Sequence, residues 1–253
     1  MDHVPVAVGD LEQARADFEK LGFVLKPGRP HTDSIRNVHV KFRDGTEIEL
    51  ITASAPLDAL SAEYIDWLKA GDGPAFWSLY NPDLQDLTER LSKMGLSPNN
   101  EGHVVTFPQS VFAHRLFFAE RLWSPTDQPE YFAHPNTAYR LEAVWLAGAA
   151  KERDLVLSLG GDRRTAFTCA PFSPHVEVLT SPNGDEIMFI SEQSGKSPER
   201  SILGVTVMVR SLDAVHMILA KNNIHDTKVD GCSRNSIWVE PADAHGLWIE
   251  FRR

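Results

Sequence analysis

His3 and Glu49 are two residues whose types could support metal chemistry or proton transfer. His3 lies near the start of an alternating segment at residues 3–8, and Glu49 lies in a second segment at residues 46–50. A neutral imidazole and a carboxylate are common ligands of divalent ions, and both can move protons. The pair can act together only if the fold places the two segments side by side around one cavity.

The elements between His3 and Glu49 follow a βαβββ order. Asp10 is a suitable N-cap for a helix at residues 12–21, and Gly22 is suited to end that helix in the left-handed conformation. Apolar residues recur at helical spacing on one face of this helix. In such a unit the outer strands can lie on one curved sheet, so His3 and Glu49 could face the same cavity.

The same helix length occurs four times along the chain. The residues that open and close each helix are 11 positions apart in every copy, namely Leu11 and Gly22, Leu84 and Gly95, Ala149 and Gly160, and Leu212 and Asn223. Asparagine is the usual second choice to glycine where a helix ends in a left-handed residue. Internal repetition of this kind predicts four copies of one structural unit.

The closing strand of each copy lies at a similar distance from its helix. The last-strand residues that match in this spacing are Glu49, Glu120, Met188 and Glu250. We therefore predict an α+β fold of four βαβββ modules, divided into domains at residues 1–138 and 139–253. A short helix that ends at Lys69 is expected between the first two modules, and residues 193–200 are the most linker-like connection.

The composition is that of an ordinary globular protein. The chain has 253 residues, of which 42% are hydrophobic, and two cysteines, Cys169 and Cys232, which we expect to be reduced thiols. The net charge of −10 disfavours nucleic acid as the main partner, because phosphate binding needs a basic face. No apolar run approaches the roughly 18 residues needed to span a bilayer. With no leader pattern before the first strand, the cytoplasm is the expected compartment.

Three motifs are similar to those of a known superfamily. They are Asp2-His3-Val4 leading to Asp10-Leu11, the run Asp44-Gly45-Thr46-Glu47-Ile48-Glu49-Leu50, and His134-Pro135-Asn136-Thr137-Ala138. On these motifs the chain resembles the vicinal oxygen chelate superfamily, and specifically its glyoxalase-like domain proteins, most clearly over residues 1–145. The resemblance implies two pairs of modules that form curved sheets of the glyoxalase/bleomycin-resistance/dioxygenase type, often with a divalent metal in the cavity.

The resemblance also implies metal ligands at a first-strand and a last-strand position of each paired module. The first-strand position is occupied in chain order by His3, Phe76, Leu141 and Gly204. The first two modules therefore offer His3, Glu49 and Glu120 as ligands of Mn, Fe, Ni or Zn, with Phe76 in the place of a fourth ligand. The last two modules offer only Glu250, which shows that the same strand pattern can exist without a ligand role.

Several other residues are candidates for the same site. We predict that His31 completes the metal shell or carries a proton, although a solvated loop histidine is an equally good interpretation. Glu120 is a second candidate proton carrier. One of Asn37 and His39 is expected to line the cavity, since both lie on the strand that follows His31.

The second module supplies candidates for substrate contact. Phe76, Phe117 and Phe118 would make the cavity apolar, and His114 and Arg115 could anchor an anionic substrate, although a structural role explains these two equally well.

Two functions of different classes fit these residues. The first is a metal-dependent lyase or isomerase of glyoxalase type that acts on a small substrate with adjacent oxygens. Ring-cleaving dioxygenation usually uses two histidines and one carboxylate, which reverses the predicted ratio, so we rank it lower. The second is a metal-free protein that binds or sequesters a small molecule, which Phe76 in a ligand place favours. Either would be a monomer or homodimer without a nucleic-acid or membrane partner.

Overall fold

The computed structural model describes most of the chain. The described residues are 1–29, 31, 33–108, 110–112, 115–169, 173–190, 201–227 and 236–253, with the backbone alone at 165–169 and 173–175. His114, Cys232 and the linker at 193–200 lie outside the described residues, and so does the side chain of Cys169.

The first half of the chain contains two modules and a connection between them. Module one consists of β1 (His3–Ala7), α1 (Leu11–Lys20), β2 (Lys26–Pro27), β3 (Ile35–Lys41) and β4 (Glu47–Ala53). The connection contains α2 (Ala59–Leu68), which is the short helix expected before Lys69, and β5 (Gly73–Pro74). Module two consists of β6 (Trp77–Tyr80), α3 (Leu84–Lys93), β7 (Asn99–Asn100), β8 (Val104–Thr106) and β9 (Leu116–Ala119).

The second half repeats the same order of elements. After a 3-10 turn at Pro129–Phe132, module three consists of β10 (Ala138–Ala147), α4 (Ala150–Ser158), β11 (Asp162–Cys169), β12 (Ser173–Thr180) and β13 (Glu186–Ile190). Module four consists of β14 (Ile202–Val209), α5 (Leu212–Lys221), β15 (Ser236–Val239), a 3-10 turn at Pro241–Asp243, and β16 (Trp248–Arg252), with an isolated bridge between Thr227 and Trp238. The predicted α+β fold of βαβββ modules is confirmed.

Within the described residues the strands form three sheets. Module one and β5 form a five-stranded sheet in the order β2-β3-β4-β1-β5, and module two forms a four-stranded sheet in the order β6-β9-β8-β7. Modules three and four share a seven-stranded sheet in the order β11-β12-β13-β10-β14-β16-β15. The first two sheets meet beside β1, where the amide of Asp2 donates to the carbonyl of Ser78 at 2.8 Å.

The helix ends match the sequence pattern. Asp10 caps α1 by accepting a hydrogen bond from the amide of Gln13 at 3.0 Å. The residues expected to be left-handed all have positive φ, namely Gly22 (84°), Gly95 (80°), Gly160 (99°) and Asn223 (56°). These four residues end the four repeated helices in the same way.

The main apolar core extends through all four modules. It includes Phe18, Leu87, Val156 and Val215, one from the helix of each module. Polar contacts also join the halves, since the side-chain amide of Asn222 donates to the carbonyl of Lys20 at 2.7 Å. The division into domains at residues 138 and 139 stays a prediction.

His134 is a buried structural residue. Its Nδ1 accepts from the amide of Val24 at 3.0 Å, so its Nε2 carries the proton and donates to the carbonyl of Lys41 at 3.0 Å. Burial lowers the pKa of His134 to about 4, against a smaller opposing effect of the Lys41 carbonyl. The imidazole therefore joins the start of module three to module one as a neutral group.

None of the helices that the structure describes is long and apolar enough to cross a bilayer.

Candidate functional site

A cavity of about 790 Å³ lies between modules one and two. Its polar wall is formed by side chains of β1, β3 and β4, which are His3, Asn37, His39, Lys41, Glu47 and Glu49. A second wall is largely aromatic and comes from module two and α2, with Leu60, Tyr64, Phe76, Phe107, Phe112 and Phe117. The cavity can therefore receive a small molecule that has both a polar end and an apolar body.

Strand pairing explains why so many polar side chains share one wall. His3 lies opposite Glu47 on β4, and His39 of β3 lies opposite Glu49. Because side chains alternate along a strand, residues two apart face the same side of a sheet. Asn37 and His39 therefore both line the cavity, where we had expected only one of them.

His3 and Glu49 face each other on this wall, as predicted. His3 Nε2 lies 3.8 Å from Glu49 Oε2, and Glu49 is 5% exposed. Asp2 Oδ2 lies 2.6 Å from His3 Nδ1, while the amide of Asn37 donates to Glu49 Oε1 at 2.5 Å. These contacts fix the orientation of both groups and direct Nε2 of the imidazole toward the carboxylate.

The carboxylates around His3 favour its charged form. Burial lowers the pKa of His3, but the hydrogen bond to Asp2 and the charges of Asp2, Glu49 and Glu47 outweigh burial and raise it to about 9. At Glu47, burial raises the pKa, but the charges of His39 and Lys41 bring it well below its usual range. Opposite charges are thus closely paired on the polar wall, at His3 with Asp2 and at Glu47 with Lys41.

Two more imidazoles approach Glu49. His39 Nε2 lies 3.9 Å and His31 Nε2 lies 4.0 Å from Glu49 Oε1. His31, the predicted fourth ligand or proton carrier, is on a loop with 43% of its side chain exposed. Among the residues that the structure describes, no group of three or more His, Cys, Asp or Glu side chains is arranged to hold a metal ion.

Strand register corrects the predicted equivalence of Glu120 and Glu49. Glu49 lies opposite Pro5, two residues after His3, and Phe117 lies opposite Ser78, two residues after Phe76. Phe117 therefore occupies the last-strand position of module two. The prediction that Glu120 occupies this position is wrong. The segment from α3 to β9 is shorter than the spacing from the helix had suggested.

Glu120 nevertheless lines the same cavity. It follows β9, and its carboxylate forms a close hydrogen bond with the imidazole of His103. Its backbone amide donates to the carbonyl of His103 at 3.2 Å. The predicted roles of Glu120 as a metal ligand and proton carrier stay predictions.

Modules three and four fill the equivalent space with apolar side chains. By register the first-strand position of module three is Ala143, two residues from the predicted Leu141, and it belongs to an apolar cluster with Met188, Trp145 and Trp238. Glu250, the one acidic residue at these positions, is 2% exposed and accepts a hydrogen bond from Thr206 Oγ1 at 2.7 Å. Burial raises the pKa of Glu250, which suits a structural carboxyl group.

Tyr64 is a cavity residue that the sequence did not reveal. Tyr64 on α2 is 3% exposed and its ring centroid lies 5.4 Å from that of Phe76. The helical spacing of apolar residues could have predicted that Tyr64 lies on the buried face of α2. It could not have predicted which cavity this face lines.

Arg115 is the candidate anion anchor, and the structure places it on the cavity wall next to aromatic side chains. Its guanidinium carbon lies 5.0 Å from the ring centre of Trp67 and 5.3 Å from that of Phe76. Arg121 also lines the cavity, with its guanidinium carbon 4.5 Å from the ring centre of Tyr80, and it donates to the Met1 carbonyl at 2.7 Å.

The fold is similar to that of several solved structures over nearly its whole length. A hypothetical protein from Staphylococcus aureus is 12% identical, with a TM-score of 0.67 over 99% of this chain and 97% of that one. The 2,3-dioxygenase LapB from Pseudomonas sp. KL28 is 16% identical, with a TM-score of 0.67 over 99% and 90%. A mutant of 4-hydroxymandelate synthase from Streptomyces coelicolor is 12% identical, with a TM-score of 0.63 over 100% and 92%.

No curated protein sequence matches the chain. The model of a family described as a glyoxalase-like domain matches residues 1–156, which include both walls of the cavity. The resemblance seen in the sequence is thereby confirmed. The chain belongs to the glyoxalase-like domain family of the vicinal oxygen chelate superfamily.

Proposed function

We propose that the protein is a metal-dependent lyase or isomerase of glyoxalase type that acts on one small substrate in this cavity. The observation that carries the proposal is the buried His3–Glu49 pair, with Nε2 and Oε2 3.8 Å apart on the polar wall. The substrate would place adjacent oxygens at this pair and its apolar part against the aromatic wall.

The contacts of His3 and Glu49 fit those of metal ligands. Metal-binding histidines usually direct their second ring nitrogen to a carboxylate or carbonyl, and Asp2 occupies that place for His3. Asn37 holds the other oxygen of Glu49 in the same manner. Bound there, a divalent ion of Mn, Fe, Ni or Zn would polarise a substrate oxygen.

The remaining residues of the polar wall have supporting roles in this proposal. His39 is a partly buried imidazole that could complete the set of metal ligands, since its Nε2 lies 3.9 Å from Glu49 Oε1. His31 would carry the proton, because its Nε2 is 3.3 Å from the amide of Asn37 and its ring reaches solvent.

Metal content tests the proposal most directly. Protein purified without a histidine tag should contain a stoichiometric divalent metal, and His3→Ala and Glu49→Gln should each lose it. His216→Ala is a matched control, because His216 is 62% exposed on α5. Glu120→Gln tests the third predicted ligand. A metal-free wild type, or metal that remains in both His3 and Glu49 variants, would contradict metal dependence.

A metal-free binding protein is the second candidate, and Phe76 and Phe117 favour it. They occupy the two module-two positions that correspond to His3 and Glu49. In that case the imidazolium of His3 would donate to an oxygen of the ligand. A metal-free protein that binds a ligand through His3, without converting it, would support this candidate.

A further inference from the structure

A row of aromatic rings connects His3 with Arg115 across the cavity. The ring centroid of Phe117 lies 5.1 Å from that of His3 and 6.4 Å from that of Phe76. The guanidinium carbon of Arg115 lies 5.3 Å from the Phe76 ring centre. Because the planes of Phe117 and Phe76 are at 80° to each other, a flat apolar molecule that packs on the face of one ring meets the edge of the other. Such a molecule would have one end near His3 and the other near Arg115.

Arg115 has hydrogen-bonding capacity that the described residues do not use. Its Nη1 is buried and lies 3.0 Å from Glu63 Oε1, yet this contact lacks the geometry of a hydrogen bond. A guanidinium has five N–H donors, and buried donors normally find an acceptor. Arg115 also has a φ of 47°, a left-handed conformation that costs free energy in a residue other than glycine.

Tyr64 supplies a second donor at the same end of the cavity. It contacts the same Phe76 ring as Arg115, and within the described part of the chain its hydroxyl makes no hydrogen bond. Burial, together with the charges of Glu49 and Glu63, raises the pKa of Tyr64 well above 10. The hydroxyl therefore keeps its proton and can donate it to an acceptor.

We infer that the substrate is a flat, apolar carboxylate whose carboxylate group binds Arg115 and Tyr64 while its other oxygen-bearing end lies at His3 and Glu49. This inference rests on the proposed function and adds the substrate class. Glu63 occupies one side of the guanidinium, and the substrate carboxylate takes donors that Glu63 leaves free. Charge-assisted hydrogen bonds of guanidinium to carboxylate are stronger than those to a neutral acceptor.

Three related probes test the two ends separately by calorimetry. They are trans-4-hydroxycinnamate, its methyl ester, and cinnamate without the ring hydroxyl. The wild type should bind the acid about 10 to 100-fold more tightly than the ester, from hydrogen bonds to a charged group. Arg115→Met should remove this preference, and Tyr64→Phe should reduce it severalfold. Arg210→Met is the matched control, since the guanidinium carbon of Arg210 also lies over an aromatic ring, 5.2 Å from the ring centre of Tyr139, but Arg210 does not line the cavity.

The outcomes separate this inference from the proposed function. Equal binding of acid and ester to the wild type, or no binding of any probe, overturns the carboxylate assignment. Equal weakening of acid and ester by Arg115→Met overturns it as well. If Arg115→Met fails to fold, Tyr64→Phe, which removes only the hydroxyl oxygen, decides the question. A ratio of acid to ester affinity equal to that of the wild type would then overturn the assignment. A preserved preference for the acid in a metal-free protein contradicts metal dependence alone.

Discussion

Phe117 shows how one residue decides the chemistry that the cavity can support. It lies where Glu49 lies in module one, and its ring contacts that of His3 at 5.1 Å. Phe117→Glu would add a carboxylate beside His3, so we expect divalent ions to bind at least about tenfold more tightly, which corresponds to about 1.4 kcal/mol. Titration of Ni²⁺ or Zn²⁺ by calorimetry measures the change.

Phe117→Gln separates charge from shape in this experiment. The glutamine side chain has nearly the same size as glutamate but no charge, so this variant should give a much smaller gain in affinity for divalent ions. Equal affinities of the wild type and Phe117→Glu would show that β9 does not direct this side chain toward the His3–Glu49 pair.

The pKa of His134 makes stability depend on pH. Its folded pKa of about 4 lies below the ordinary 6.5, so the unfolded chain binds the extra proton between these values. The neutral His134 therefore contributes about 3 kcal/mol to the free energy of unfolding above pH 6.5, and this contribution is lost as the pH falls toward 4. Relative to the wild type, His134→Gln should therefore lose less stability on acidification, measured by urea unfolding from pH 7 to 4.5.

An exposed histidine provides the control for His134. His216→Gln should leave the pH dependence of unfolding close to that of the wild type, because His216 is 62% exposed. Parallel curves for the wild type and His134→Gln would contradict a neutral buried imidazole at position 134.

Individual site residues were predictable where the repeat was regular. His3 and Glu49 have a fixed distance from the α1 start, and the structure places them face to face. The match of Glu120 to Glu49 failed because the segment between α3 and β9 is shorter than the segment between α1 and β4. Counting positions from the helix does not show where module two lacks residues. Tyr64 was not found because α2 lies outside the repeat.

At the scale of elements, Asn223 tests how the repeated helices end. Its φ of 56° is left-handed, a conformation that costs residues with a Cβ about 1–2 kcal/mol, less for asparagine. Asn223→Ala should destabilise the protein by about 1 kcal/mol, while Asn223→Gly should be neutral or slightly stabilising. Thermal unfolding of the two variants measures the difference, and equal stability would contradict a left-handed residue there.

The longer helices and strands were predictable because their apolar residues recur with a clear period. The capped helices α1, α3 and α5 begin at Leu11, Leu84 and Leu212, the residues from which the repeat was counted, and α1 lies within one residue of the predicted 12–21. The strands β2, β5 and β7 contain only two residues each, which is too short for any period to show. Their pairing depends on tertiary contacts, so sequence pattern could not reveal them.

For the whole molecule, the shared core determines whether the two halves can exist apart. The main cluster contains residues of all four modules, and His245 of module four contacts both Asp17 (3.2 Å) and Asp72 (2.7 Å) of the first half. Residues 1–138 alone would expose much of this apolar surface. We expect this fragment to lack a cooperative unfolding transition, measured by circular dichroism, and to regain one when co-expressed with residues 139–253.

The opposite outcome has a clear meaning. A fragment of residues 1–138 that unfolds cooperatively by itself would show that the first pair of modules is an independent domain, as the sequence-based division implies. The four-module architecture was predictable from the repeat, but the sharing of one core was not, because a linear pattern does not show which apolar faces meet.

The tryptophans are distributed unevenly over the molecule, with one cluster remote from the cavity and one residue beside a cavity-lining arginine. Trp145, Trp238 and Trp248 form a cluster in modules three and four, with ring centroids 5.2 and 6.3 Å apart in successive pairs. Trp67 instead lies against Arg115, a residue of the cavity wall, with 5.0 Å between its ring centre and the guanidinium carbon. A ligand that binds Arg115 should change the emission of Trp67 and leave that of the cluster unaltered. A fluorescence change on ligand binding that Trp67→Phe lacks would therefore report occupation of the Arg115 end of the cavity.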